Sequence, residues 1–173
     1  MERRTFWTGG VALAACAAGA GVAWWRLRPL EALPPAVAAF WASRFDGPNG
    51  EAVVVERFRG RPLLVNFWAT WCPPCVEELP MLNTFQAGQA GGGWQVLGLA
   101  VDQAGPVRQF LQRLPLAFPV GMAGFAGTEI SRGLGNQGGG LPFTVVFGRD
   151  GRVLDQKIGK LSEADLARWA GLA

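Results

Sequence analysis

Residues 63–80 have the sequence LLVNFWATWCPPCVEELP. The first part, 63–67, is an apolar run of strand length without alternation, which is typical of a central strand covered on both faces. Over residues 73–86 apolar side chains recur at steps of three, which predicts a helix. Two cysteines, Cys72 and Cys75, therefore lie at the junction between a buried strand and a helix.

A C-x-x-C pair at the start of a helix suits reversible disulfide chemistry. Unpaired backbone N–H groups and the helix dipole at this end stabilise a thiolate, here on Cys72. The two intervening residues bring Cys75 within disulfide reach, so the bond can open and close without moving the fold. Pro73 and Pro74 suit the first helical turn, where a missing N–H group costs little.

The rest of the chain alternates between strand and helix patterns, with turn residues at 47–50. Asp150 and Gly151 suit a hairpin turn, and Ser162 with Asp165 forms a capping signature. We predict helices at 34–45, 106–114, 124–134 and 162–172, strands at 52–55, 94–101, 143–147 and 153–158, and an extended piece at 118–120. This order predicts an α/β domain with a mixed central β-sheet flanked by helices on both faces.

The amino-acid composition excludes several classes of site and argues against others. The 173-residue chain is half hydrophobic, which suffices for one domain with a buried core. It has no histidine, which excludes histidine-assisted triads and histidine-ligated metals. A zinc site would need about two more ligands beside the C-x-x-C pair, so we expect no metal and no cofactor. Of the net charge of +3, +2 falls before residue 32, which argues against a nucleic-acid surface on the domain.

The N-terminal segment indicates export. Residues 6–25 carry no charge and are flanked by arginines on both sides. As a helix this run would span ~30 Å, about the hydrocarbon thickness of a bilayer. We expect 1–31 to be a signal anchor and 32–173 to be a domain held at the periplasmic, outer face of the inner membrane.

Two other tethering routes stay open for the same segment. Leu13-Ala14-Ala15-Cys16 resembles a lipobox, which would make Cys16 a lipidated N-terminus. The segment could also be a cleaved export signal, and the RRTF sequence at 3–6 resembles a twin-arginine motif. All three routes predict a domain outside the cytoplasm.

The sequence NFWATWCPPC at 66–75, followed by EELP at 77–80, closely resembles the TlpA/ResA/DsbE branch of the thioredoxin superfamily. The similarity covers roughly residues 36–170 and includes VD at 101–102, LAFPV at 116–120, LPFT at 141–144 and DGRV at 150–153. The resemblance implies a thioredoxin-like fold preceded by a membrane-anchor helix, with 116–120 in a segment inserted into that fold.

The resemblance also implies roles for individual residues. Cys72 matches the nucleophile of the branch and Cys75 matches its resolving thiol. Pro142 matches the cis-proline beside the disulfide, which helps to bind the extended backbone of a client protein. We expect Trp71 and Leu141 to take part in the same substrate binding.

A further implied role concerns Glu78, which matches an acidic residue that tunes the proton affinity of the cysteines. The buried strand aspartate of thioredoxin is replaced by Asn66, which cannot take a proton, so proton transfer to and from Cys75 must come from elsewhere. Glu77 and Glu78 could instead lie on a solvated helix face, since acids are favourable near a helix start.

These observations favour an extracytoplasmic thiol–disulfide oxidoreductase that reduces protein disulfides. The resemblance implies protein thiol clients, apocytochrome c among them, and a membrane electron donor that recharges the dithiol. A thiol peroxidase and a copper-binding thiol chaperone remain alternatives, because two thiolates can ligate Cu(I). A purely structural disulfide is a further alternative in an exported protein.

Overall fold

The computed structural model describes residues 32–89 and 93–172. Within these ranges, none of the helices is both long and apolar enough to cross a bilayer. The anchor predicted for 1–31 lies outside the described residues. The helices are α1 (Pro35–Trp41), α2 (Pro73–Gly88), α3 (Ala104–Arg113), α4 (Ala126–Gly133) and α5 (Glu163–Ala170), with a short 3-10 helix at Val55–Phe58.

In the described part of the chain, seven strands form one mixed sheet in the order β2-β1-β5-β4-β3-β6-β7. The strands are β1 (Arg44–Asp46), β2 (Ala52–Val54), β3 (Leu63–Trp68), β4 (Gln95–Ala100), β5 (Val120–Met122), β6 (Phe143–Phe147) and β7 (Val153–Ile158). Strands β3, β4 and β5 are parallel to one another, whereas β6 runs antiparallel to β3 and β7 antiparallel to β6. The prediction of a mixed sheet is confirmed.

Strand β3, an interior strand between β4 and β6, has a hydrophobic core on each of its faces. Leu64 and Trp68 face a core completed by side chains of α2, α3 and α5, whereas Val65 and Phe67 face a core completed by α1 and α4. All six residues of β3 are buried, because the strand is hydrogen-bonded on both sides and covered on both faces. Helices therefore flank both faces of the sheet, as predicted.

The prediction of a helix over 34–45 is wrong at its end. Helix α1 stops at Trp41, and Arg44–Asp46 is strand β1, which pairs antiparallel with β2 and β5. Phe45 does point inward, but with exposed neighbours on either side, which is the alternation of a strand. A three-residue alternation is too short to stand out beside a helical pattern, and pairing with distant strands determines the outcome.

The other elements form where the sequence predicts them, with shifted ends. The predicted extended piece at 118–120 becomes strand Val120–Met122, and the helix predicted from Pro106 begins at Ala104. At the start of α5, Ser162 and Asp165 form the complete capping box: the Ser162 side chain accepts from the Asp165 N–H, and the Asp165 side chain accepts from the Ser162 N–H.

Candidate functional site

Cys72 and Cys75 form a disulfide across the first turn of α2. Cys72 is the residue that precedes the helix, and Cys75 lies within its first turn, 5.3 Å away between Cα atoms. Cys75 is fully buried, Cys72 retains 5% exposure and the adjacent Trp71 is 65% exposed. Of the two cysteines, Cys72 is therefore the one with residual exposure to solvent.

The loop before Cys72 is fixed by an aspartate at the end of β4. The backbone N–H and the hydroxyl of Thr70 both donate to Asp102 Oδ2, at 2.8 and 2.6 Å. The N–H of Val101 donates to the carbonyl of Trp68 at 2.8 Å. These bonds hold the carboxyl ends of two parallel strands together and so position the turn that carries the cysteines. Sequence reasoning gave Asp102 no such role, although an acid directly after a buried parallel strand is a usable signal.

The peptide bond between Leu141 and Pro142 is cis. Pro142 is buried and precedes β6, and the pairing of Phe143 with Phe67 places it beside the carboxyl end of β3, where the cysteine loop begins. Leu141 is half-buried and packs against the core cluster that contains both cysteines. The topology thus brings the predicted client-binding residues to the edge of the sheet that carries the disulfide.

Asn136 supports the loop before Pro142. Its side chain is fully buried, and its Nδ2 donates to the carbonyl of Gly140 at 2.8 Å and to Ser131 Oγ at 3.3 Å. These bonds tie the glycine-rich segment to the end of α4. Sequence reasoning missed Asn136, because a single Asn in a glycine-rich loop reads as an ordinary turn residue.

Glu78 lies inside the core, three residues after Cys75 on the same helix, and only 1% of it is exposed. Its Oε1 accepts from Asn66 Nδ2 at 2.7 Å, and its Oε2 accepts from the backbone N–H of Leu161 at 2.7 Å. The alternative of a solvated helix face is therefore wrong for Glu78. It is right for Glu77, which is exposed and forms an ion pair with Lys160.

Burial raises the pKa of Glu78 above its ordinary value. The hydrogen bonds from Leu161 and Asn66 and the charges of Lys160 and Lys157 oppose this rise, but the loss of solvation is the larger effect. This carboxyl group lies on the same helix face as the buried Cys75, one turn away along α2. Perturbed groups of this sort are concentrated at functional sites.

Asn66 and Thr144 complete the polar cluster under α2. Both are fully buried on adjacent strands, and Asn66 Nδ2 donates to Thr144 Oγ1 at 3.0 Å as well as to Glu78. Sequence reasoning identified Asn66 only as a departure from thioredoxin and missed Thr144. Within residues 32–89 and 93–172, no group of three or more Cys, Asp or Glu side chains could hold a metal ion.

The model of the family named Redoxin matches residues 33–169. The chain belongs to this family. The thiol–disulfide oxidoreductase ResA of Bacillus thuringiensis (strain Al Hakam) is 30% identical to it over 120 residues, which cover 68% of this chain and 66% of that relative. ResA of Bacillus anthracis gives the same values. The chain thus spans just under two thirds of the length of these relatives.

Solved structures of related proteins have a similar fold. A thiol:disulfide interchange protein of the thioredoxin family from Chlorobium tepidum TLS has a TM-score of 0.67 at 29% identity, covering 76% of this chain and 92% of that one. MTB DsbF has a TM-score of 0.67 at 22% identity, covering 82% and 98%, and shows the fold alone. This redoxin therefore has the thioredoxin-like fold and lies in the TlpA/ResA/DsbE-like branch of the thioredoxin superfamily.

The raised pKa of Glu78 predicts how stability depends on pH. The folded protein holds this proton at pH values where the unfolded chain, with the ordinary value of 4.5, has lost it. The contribution of Glu78 to stability is therefore fully present below pH 4.5 and is lost as the pH rises through the folded-state pKa. Because Glu78→Gln cannot titrate, the free energy of unfolding of the wild type should fall relative to that of the variant over this interval.

Urea denaturation of the oxidised proteins between about pH 4 and pH 8 measures this difference. Glu77→Gln is the matched control, since it removes an exposed carboxylate from the same helix. A difference between wild type and Glu78→Gln that is independent of pH would contradict the prediction.

Proposed function

We propose that the chain is an extracytoplasmic reductant of protein disulfides, with Cys72 and Cys75 as its redox pair. The observation that carries the proposal is the position of the disulfide at the start of α2. Cys72 retains 5% exposure, whereas Cys75 is fully buried on the same helix as the buried Glu78 carboxyl group. The membership of the chain in a branch of thiol–disulfide oxidoreductases supports the same chemistry.

The reaction begins with the reduced dithiol. The Cys72 thiolate, stabilised at the start of α2, attacks one sulfur of a client disulfide, and the other client sulfur leaves as a thiolate. Cys75 then passes its proton to the Glu78 carboxylate and attacks Cys72 Sγ. This step closes the Cys72–Cys75 disulfide and releases the second client thiol. Two electrons have moved from the dithiol to the client.

Glu78 is the proposed proton acceptor because a buried thiol cannot ionise without one. Cys75 is fully buried, so water does not reach its sulfur, and the amide of Asn66 cannot take a proton. Burial raises the pKa of Glu78, so its carboxylate is a stronger base than that of an exposed glutamate.

The proposed client site is formed by Trp71, Leu141 and Pro142, which the strand pairing places at the same end of the sheet. Trp71 offers an exposed aromatic side chain, and Leu141 and Pro142 precede β6 at the end of the sheet where the cysteine loop begins. Apocytochrome c as a client and a membrane donor of electrons are proposals that rest on the resemblance to the TlpA/ResA/DsbE branch.

A copper titration run beside a redox titration separates this function from that of a copper chaperone.

We further propose that residues 1–31 hold domain 32–173 at the outer face of the membrane. The charge-free run at 6–25 and its arginine flanks support an anchor. Fractionation of cells expressing the full chain should place it in the membrane. Release by Cys16→Ala alone would establish the lipoprotein route instead, and a soluble product trimmed near Ala20 would overturn the tether.

The two cysteines should behave differently when each is replaced. Cys72→Ser should abolish disulfide reduction, whereas Cys75→Ser should accumulate mixed disulfides with client proteins, because only Cys72 is reachable from solvent. Non-reducing gels and mass spectrometry of the trapped species measure this outcome. Mixed disulfides accumulating on Cys72→Ser and not on Cys75→Ser would reverse the assignment.

The redox potential should be that of a reductant. Pro73 and Pro74 offer no N–H to the Cys72 sulfur, and the exposed Glu77 adds a negative charge nearby, so the thiolate gains less stabilisation than in an oxidising motif. We expect a potential nearer thioredoxin's, about −270 mV, than DsbA's, about −120 mV. Equilibration with glutathione, followed by tryptophan fluorescence, measures it. A value close to that of DsbA would make the protein a disulfide donor.

A further inference from the structure

Asn66 occupies the middle of β3, opposite Gly98 on β4 and Thr144 on β6. Its side chain lies on the α2 side of the sheet and is fully buried. The amide Nδ2 donates to Glu78 Oε1 at 2.7 Å and to Thr144 Oγ1 at 3.0 Å. Among the residues that the structure describes, Asn66 Oδ1 has no hydrogen-bond partner.

A buried acceptor without a partner is unfavourable, so a reason for keeping Asn at this position is needed. The side-chain amide provides one, because its two ends have nearly the same size and differ in hydrogen-bonding character. A half-turn about the Cβ–Cγ bond would exchange Oδ1 and Nδ2 without moving the backbone. Oδ1 would then face Glu78 and Thr144 and could accept a hydrogen bond from each.

The two orientations of the amide match the two protonation states of Glu78. With Nδ2 facing Glu78, the orientation in the present structure, the amide can donate to a carboxylate. With Oδ1 facing Glu78 and Thr144, the amide accepts one hydrogen bond from the O–H of the carboxylic acid and one from the Thr144 hydroxyl. Each orientation makes two side-chain hydrogen bonds and leaves one end of the amide without a partner.

We propose that Asn66 is a positioning residue whose amide turns over each time Glu78 gains or loses its proton. The proposal rests on the proposed function in one respect, the transfer of the Cys75 proton to Glu78, which gives the rotation its role in the reaction. When Cys75 passes its proton to the Glu78 carboxylate, a thiolate and a carboxylic acid result, and the rotated amide keeps the acid hydrogen-bonded. When the acid returns its proton to solvent, the amide rotates back.

The other groups around Glu78 do not turn in this way. From the segment after β7, the backbone N–H of Leu161 is a fixed donor to Oε2, so the proton of the acid belongs on Oε1, the oxygen that faces Asn66. Lys157 on β7 and Lys160 after it act through their charge alone, and they are ion-paired with Asp165 and Glu77. Only a group that both donates and accepts serves both states of Oε1.

The test is nuclear magnetic resonance of the isotope-labelled, oxidised full chain across the titration of Glu78. We expect a scalar coupling across the hydrogen bond between Asn66 Nδ2 and Glu78 Cδ when the carboxyl is ionised, and its loss when the carboxyl is protonated. The Asn66 Nδ2 shift should change with the same midpoint as the Glu78 Cδ shift. A coupling that persists in both states, or an Nδ2 shift that ignores the titration, would overturn the proposal.

Two variants sharpen the test. Asn66→Asp has the same shape but places a second carboxyl against Glu78, so it should shift the titration of Glu78 to higher pH. Thr144→Val removes the second bond of the amide and leaves rotation possible, so the matched midpoints should survive. If the amide turns over but Glu78→Gln resolves mixed disulfides at the wild-type rate, the inference stands and the proposed role of Glu78 fails. If the amide does not turn over but Glu78→Gln slows the resolution of mixed disulfides, the inference fails and the proposed role of Glu78 stands.

Discussion

The hydrogen bonds that Glu78 receives from Asn66 and Leu161 connect three distant parts of the chain inside the core. Glu78 comes from α2, Asn66 from strand β3 and Leu161 from the segment that leads into α5. Burying a carboxyl group without partners would be strongly destabilising, so the fold must bring these segments into register. The same register places Cys75 on the buried face of α2, whereas Cys72, at the start of the helix, retains 5% exposure.

The rest of the site is built around this cluster by the parallel strands. Asp102 holds the loop between β3 and α2, and the pairing of β6 with β3 brings Pro142 beside that loop. Each of these contacts joins residues about 30 to 80 positions apart in sequence. The disulfide can therefore open and close in each reaction cycle while the surrounding strands and helices keep their positions. The proposed amide rotation would confine the necessary adjustment to one side chain.

Sequence patterns predicted much of this arrangement because they are local. The buried strand, the C-x-x-C helix and the capping box of α5 all follow from spacings of a few residues. Strand β1 was missed because its three residues form a strand only by pairing with β2 and β5. The sequence alone also did not decide whether Glu78 is buried, because a charged residue near a helix start is normally solvated. The groups that hydrogen-bond to it lie 12 and 83 residues away in the sequence.

The most direct measurement is the rate at which Cys75 resolves a mixed disulfide between Cys72 and a chromogenic thiol, followed by stopped flow across a range of pH. If Glu78 accepts the Cys75 proton, Glu78→Gln should slow this step by about 10²–10⁴-fold, the usual contribution of general base catalysis. The variant should also lose the rise in rate that accompanies ionisation of the carboxyl, while Glu77→Gln should keep it. Equal rates and pH profiles for wild type and Glu78→Gln would show that the proton leaves Cys75 by another route.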